Sequence, residues 1–340
     1  MKKRALFLAL GVAIAASLAA ATATEAADTR KTVKVFLLAG QSNMQGMAFT
    51  ADMEKQAENL KYKDLYKNLR KDGKWIVRED VFLKYGKHKA PLTVGFGGAR
   101  RRTGVEFAFG SMMGDHFDEP VLLIKTAWGG HSLYQQFRSP SAFPSAEKLQ
   151  AELESRQQQV KQNNEKQRKN DPLPTMDDIK KQYGVSYRAM MDEVKATFDN
   201  CETLFPALKG RKLEVAGFVW FQGWNDQYFN PKEYYASFMK LFIQDVRKDL
   251  GVPNLPFVIA ALGQNGSAPA AGAMLAVREA QMSMNDVPEF KGNVKAFRVD
   301  LLSDGVAAAD CHYNGSGNWY TRIAYAMGEA MLELMKNQGK

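Results

Sequence analysis

Five short apolar runs punctuate the chain, at residues 33–39, 121–126, 215–221, 257–262 and 294–299. Each has strand length, is rich in aliphatic, β-branched and aromatic residues, and is too short for a buried helix. Segments of helical period lie between and after them, at 105–117, 187–198, 271–284 and 320–335, with a further one opened by Pro231 and running to about Leu250. Strand-length runs without polar alternation are those buried on both faces. Their alternation with helices predicts an α/β chain: a three-layer αβα arrangement around a doubly wound, parallel five-stranded sheet.

Two stretches break the rhythm. Residues 52–88 are rich in Lys and Tyr and are expected to wrap the rim. A polar insertion near 145–185 reads as a solvated helix, then a break at Asp171-Pro172; its apolar positions are too sparse for a coiled-coil seam. With 340 residues, 45% of them hydrophobic, the chain can build a large core without a disulfide or metal staple. Lys2, Lys3 and Arg4, an apolar alanine-rich stretch over 6–20 and small residues up to Ala26 form the pattern of a secretory signal peptide. The stretch is shorter than the ~20 residues of a spanning helix, so export without stable membrane insertion is expected. Residues 31–338 are then expected to form one domain. The net charge of +9 is dispersed and has no aromatic-interleaved basic stripe, which suits anionic glycans or solubility and not nucleic acid. Cys201 and Cys311 are read as free thiols, although export would let them pair. No Cys/His cluster has metal-ligand spacing.

The chemistry-bearing residues collect where the runs end. In open α/β sheets, ligands bind beyond the carboxyl ends of the strands. The first run ends in Gly40-Gln41-Ser42-Asn43-Met44, which lifts a serine onto that edge. Ser42 alone is better explained by helix capping or turn chemistry than by catalysis; it becomes a nucleophile if a histidine returns to it. The Gly-x-Ser-x-Gly elbow is absent, because Met44 stands at the second glycine. There are 4 histidines, so the choice is narrow. His88 lies in a basic loop and His116 late in a helix, both structural settings. His131 follows Trp128-Gly129-Gly130, and His312 stands in Asp310-Cys311-His312-Tyr313-Asn314-Gly315; both lie past strand ends. Thr103-Gly104-Val105-Glu106-Phe107 opens a helix, where the Gly104 amide can point at an oxyanion. The third run leads into Gln222-Gly223-Trp224-Asn225-Asp226. The glycine- and arginine-rich 95–102 lacks the Gly-Lys-Ser/Thr ending of a phosphate loop and reads as an entrance loop.

Taken together, these segments resemble the SGNH-hydrolase superfamily, and more narrowly its sialate O-acetylesterase and acetylxylan esterase branch of carbohydrate esterases. Gly40-Gln41-Ser42-Asn43-Met44 matches that branch's first block, Thr103-Gly104-x-Glu106-Phe107 its second and Phe221-Gln222-Gly223-x-x-Asp226 its third. Ile124-Lys125-x-Ala127-x-Gly129-Gly130-x-Ser132-Leu133 matches a connecting block. The likeness runs from about Lys34 to Met335. It implies a flavodoxin-like fold and a secreted serine esterase that removes O-acetyl groups from a carbohydrate through an acyl-enzyme, with no metal or organic cofactor. Ser42 is then the nucleophile and His312 the general base. The amides of Ser42 and Gly104 and the Gln222 side chain form the oxyanion hole. Gln41, Asn43, Trp128, Gly130, His131, Trp224 and Asp226, on the same turns, are candidate substrate contacts. Two departures stand out. The branch usually has Asp-x-x-His, but Ala309 lies three before His312, leaving Asp310 as the candidate orienting acid, with Asp304 or a backbone carbonyl as alternatives. Trp224 replaces the usual glutamate after Gln-Gly, an aromatic face for a sugar ring or an acyl pocket, with plain packing against Trp220 or Trp128 as the alternative. The missing spacing motivates a second reading, a carbohydrate-binding protein that keeps the fold without catalysis. A lipase or peptidase fits less well, since no long apolar lid segment is present.

Overall fold

Strand β1, Thr32–Gly40, buries both of its faces: Val33, Val35, Leu37 and Ala39 enter one core, and Phe36 and Leu38 the other. A strand with two apolar faces needs a layer on each side. The computed structural model describes residues 31–99, 101–306 and 310–339 and supplies both layers. The leader expected at 1–26 and Ala309 lie outside the described residues.

The sheet adds β2 (Val81–Tyr85), β3 (His88–Pro91), β4 (Val121–Ala127), β5 (Lys212–Phe221), β6 (Phe257–Ala261) and β7 (Val294–Arg298), in the order β7-β6-β5-β1-β4-β2-β3. All neighbours are parallel except the antiparallel pair β2–β3. The five expected strands are all present and adjacent, in the flavodoxin-like 2-1-3-4-5 order. Among the described residues, however, the sheet has seven strands, not five. The extra hairpin comes from the stretch expected to wrap the rim. Tyr85 pairs with His88 across Gly86-Lys87, and Gly86 takes a φ of 54°, the turn chemistry of a two-residue hairpin.

Helices α1 (Ser42–Gln45), α2 (Thr50–Glu58), α3 (Glu106–His116), α4 (Ala146–Gln167), α5 (Met176–Gln182), α6 (Val185–Asp199), α7 (Tyr235–Leu250), α8 (Gly272–Met282) and α9 (Gly317–Asn337) complete the layers. Phe107, Phe109 and Met113 of α3 and Ile323, Met327 and Met331 of α9 fill the core on one face. Tyr187 and Met190 of α6, with Met239, Phe242 and Ile243 of α7, fill the other. The α7 helix begins later than expected, because Pro231–Glu233 forms a separate 3-10 turn. The inserted α4 buries only Leu149, which meets Ile179 and Tyr183 in a small cluster of its own. Cys201 and Cys311 are unbonded. Among the described residues no helix is long and apolar enough to cross a membrane.

The chain reverses direction across the sheet between β1 and β5, and this is the switch point at which such folds open a crevice. Gly40 makes the approach there. Its φ is 156°, and a Cβ on it would lie 2.1 Å from the Phe221 carbonyl oxygen of β5. Gly40→Ala is therefore expected to destabilise the fold by more than about 2 kcal/mol, seen as a lower urea midpoint, because backbone must move to admit the methyl.

Candidate active site

Beyond Gly40, Ser42 opens the α1 turn with its side chain almost enclosed, 7% exposed. Gly46 closes that turn at a φ of 92° and lies directly on the second block; a Cβ there would be 2.3 Å from the Gly104 Cα. From the other side, the loop after β4 approaches. A Cβ on Gly129 would be 4.0 Å from the Ser42 Cβ, so the missing side chain leaves the hydroxyl open space. The loops after β1 and β4 and the start of α3 therefore converge on one serine.

The histidine segment is fastened to the same turn by Asn43. Its amide nitrogen donates to the Cys311 carbonyl at 3.0 Å, and the Tyr320 hydroxyl donates to its Oδ1 at 2.6 Å. The residue after the nucleophile candidate thus holds the residue before the base candidate. The Ser42 hydroxyl itself makes no hydrogen bond to the imidazole or to another described residue; in unliganded sites such bonds are commonly long and close on the substrate. Burial disfavours charge on the His312 imidazole; Asp310 works the other way and Arg102 reinforces burial, so its pKa falls below the ordinary value. The Arg102 guanidinium is fixed over the Phe49 ring, 3.4 Å from its centroid, and donates to the Met47 carbonyl. Removing this cation as Arg102→Met is expected to move the acid limb of a kcat/KM profile to higher pH, read from hydrolysis rates between pH 4 and 8.

Asp310 makes no hydrogen bond to the His312 imidazole. Its Oδ1 accepts the backbone amides of His312 and Asn314, both at 2.8 Å, so it shapes the turn and acts on the ring through its charge, not through a hydrogen bond. The short two-residue separation directs the carboxylate onto the backbone. Asp304 is engaged elsewhere, by the Tyr62 hydroxyl at 2.8 Å and by Lys61 and Arg322.

The third block is a buried network. Asp226, 0% exposed, accepts from the Leu133 and Tyr134 amides, both at 2.9 Å, from the Tyr234 hydroxyl at 2.8 Å and from the Gln222 amide at 2.5 Å. Burial pushes its pKa up to about 6 against the pull of those donors. The Gln222 nitrogen also faces the His131 carbonyl and the Gln41 Oε1. Gln41 clamps the loop further, accepting from the Gly223 amide and donating to Asn225. This corrects two expectations. Gln222 has its amide protons committed inside the network, not turned to an oxyanion. Gln41, Asn43 and Asp226 are enclosed frame residues, not surfaces for substrate. The Gly104 amide is likewise occupied, donating to Glu106 Oε1 at 2.9 Å.

The exposed wall of the mouth consists of Trp128, Gly129, Gly130, His131, Trp224 and Asn225, all partly or fully open. His131 stacks on Trp128 at 6.3 Å between centroids and 14° between planes, and its Nδ1 meets the Ser186 hydroxyl at 2.6 Å. Burial lowers its pKa, favouring a neutral ring. Sequence reasoning quoted Lys125 and Asn225 within their segments but gave neither a role, and it did not reach Ser186. For Lys125 a signal existed: a lysine inside an apolar strand run must find a buried partner.

Among solved structures, the fold is shared with an Arabidopsis thaliana protein (TM-score 0.51, 16% identity, covering 88% of this chain and 97% of that one). It is shared also with a carbohydrate acetylesterase from Xanthomonas citri (TM-score 0.52, 13% identity), matching 90% of this chain but only 57% of the larger enzyme. No curated protein is significantly similar in sequence. The model of the carbohydrate esterase family described as sialic acid-specific acetylesterase matches residues 32–327, nearly all of the described chain, and by that match this protein belongs to the family.

Proposed function

We propose that this chain is an exported serine esterase of the SGNH type that removes O-acetyl groups from a carbohydrate. Ser42 Oγ attacks the acetyl carbonyl carbon while the neutral His312 imidazole takes the hydroxyl proton. The carbonyl electron pair moves to oxygen, and the resulting oxyanion is met by the backbone amide of Ser42 and by that of Gly104 as the latter's bond to Glu106 Oε1 is shared or given up. Collapse breaks the bond to the sugar oxygen, which leaves with the proton from His312 and yields acetyl-Ser42. Water then repeats the sequence with the same base and releases acetate. The open wall of Trp128, His131 and Trp224 is suited to hold the sugar, since flat aromatic faces pack on apolar ring faces. Export rests on the charged and apolar leader of residues 1–26.

The Asn43 double bridge carries this reading, because it binds the two reactive segments to each other across most of the chain's length. The second reading, a carbohydrate binder without turnover, draws on Asp310 being taken up by backbone amides. Acetate release from a panel of O-acetylated neutral and acidic sugars distinguishes the two. Release by the native protein and none by Ser42→Ala supports the esterase. Sugar binding with no release from any member of the panel supports the binder.

A further inference from the structure

Glu106 and Lys125 are both entirely buried, and they pair at 2.9 Å beneath the nucleophile turn. A buried ion pair is seldom a net source of stability, since dehydration of both charges offsets their attraction. Its placement here invites another explanation. Glu106 Oε1 accepts the Gly104 N–H at 2.9 Å while its Oε2 accepts from Lys125. The Lys125 ammonium also donates to the Gln45 carbonyl, at the end of the Ser42 turn, and to the Phe96 carbonyl of the entrance loop, each at 2.7 Å. One cation thus joins the nucleophile turn, the entrance loop and the start of α3, and one carboxylate oxygen sits on the amide that an ester oxyanion needs. No space remains for a side chain at Gly104, where a Cβ would be 2.4 Å from Glu106 Oε2.

We infer that Glu106 and Lys125 are positioning residues for the oxyanion: the Glu106 oxygen holds the Gly104 N–H in line in the empty site, and the Lys125 ammonium cancels the carboxylate charge so that a second negative oxygen can form at the same amide. This rests on the Ser42 esterase reading. When the ester arrives, its carbonyl oxygen shares or takes over the Gly104 hydrogen bond. Without Lys125 the two negative oxygens repel, and without an oxygen at position 106 the amide has nothing to hold its direction.

Two charge-free double variants of similar volume separate this from a purely structural role, because replacing both partners of a buried pair is usually tolerated. Glu106→Gln with Lys125→Met keeps an acceptor for Gly104; Glu106→Leu with Lys125→Met does not. With active sites counted by a phosphonate inhibitor, kcat of the first is expected to exceed that of the second by at least about 10-fold, within the ~10²–10³ attached to one oxyanion donor. Their KM values and unfolding temperatures should be similar. Lys125→Met alone should fall below the Glu106→Gln double variant. Equal kcat in the two double variants overturns the inference. A second readout needs no variant: the Gly104 amide NMR resonance of the native protein should shift when Ser42 forms a phosphonate adduct, and an unmoved resonance overturns the inference too. A native protein that releases no acetate refutes the esterase reading instead, so the two failures are distinguishable.

Discussion

Ser42→Ala is expected to lower kcat for acetate release by roughly 10⁴-fold or more, while the affinity for the sugar changes little. The hydroxyl is the one reacting atom in the proposed sequence that no neighbour can replace, since the side chains beside it are committed: Gln41 to the third block, Asn43 to Cys311 and Tyr320, and Gln222 to Asp226. His312→Ala should cost a comparable factor. The double variant should be scarcely slower than either single one, because groups that act in one proton transfer do not contribute additively. What survives in all three is the contribution of the oxyanion amides and of binding. Steady-state rates on one acetylated sugar, with circular dichroism to show a native fold, check the set. Additive losses would mean that the two residues act in separate steps.

Asp226→Ala is expected to have the largest effect on stability, about 3 kcal/mol at neutral pH. Four donors face this carboxylate in a site closed to water. Each donor left unpaired costs about 1–3 kcal/mol. Part of that is returned, because the buried group also pays for ionising. Its folded pKa of about 6 lies above the ordinary 3.8. A carboxyl raised in this way contributes stability that is complete below the unfolded value and disappears as pH climbs through the folded one. Over that interval the contribution is on the order of 3 kcal/mol, at 1.36 kcal/mol per unit. The loss on Asp226→Ala should therefore be greater at pH 4 than at pH 7, by up to about that amount. Urea unfolding of native and variant proteins at the two pH values measures it. A loss that is larger at pH 7 would show that the carboxylate is stabilised by its donors more than burial opposes it. Activity should fall as well, since Asp226 holds both the loop that carries His131 and the Gln222 side chain.

Much of the fold could be read from the chain because both faces of the central strands are buried, and that leaves unbroken apolar runs. β1 is the clear case, with Val33, Val35 and Leu37 turned to one core and Phe36 and Leu38 to the other. The β2–β3 hairpin was missed for the converse reason. It lies at the sheet edge, where lysines such as Lys84 and Lys89 are tolerated, so its period is diluted; the Gly86-Lys87 turn between two strand-like runs was the available clue. At the site, Ser42, Gly104, His131, Gln222 and His312 all lie at or beside the carboxyl end of the sheet. Their hydrogen-bond partners were not legible. Whether an amide such as Gln222 faces a ligand or a buried carboxylate depends on Asp226, Gln41 and the His131 carbonyl, which only the fold brings to it. For Asp310 the spacing showed that the usual link to the imidazole was altered, though not that the carboxylate would cap its own turn.

The account stands on Ser42 becoming acetylated with His312 carrying the proton. Rapid quenching of the native protein with an acetyl ester, followed by digestion and mass spectrometry, reads this directly. An acetyl group should appear on the peptide bearing Ser42 within the first turnover, and should be absent from Ser42→Ala and strongly delayed in His312→Ala. Steady acetate release with that serine never modified, or release that persists undiminished in Ser42→Ala, would contradict it.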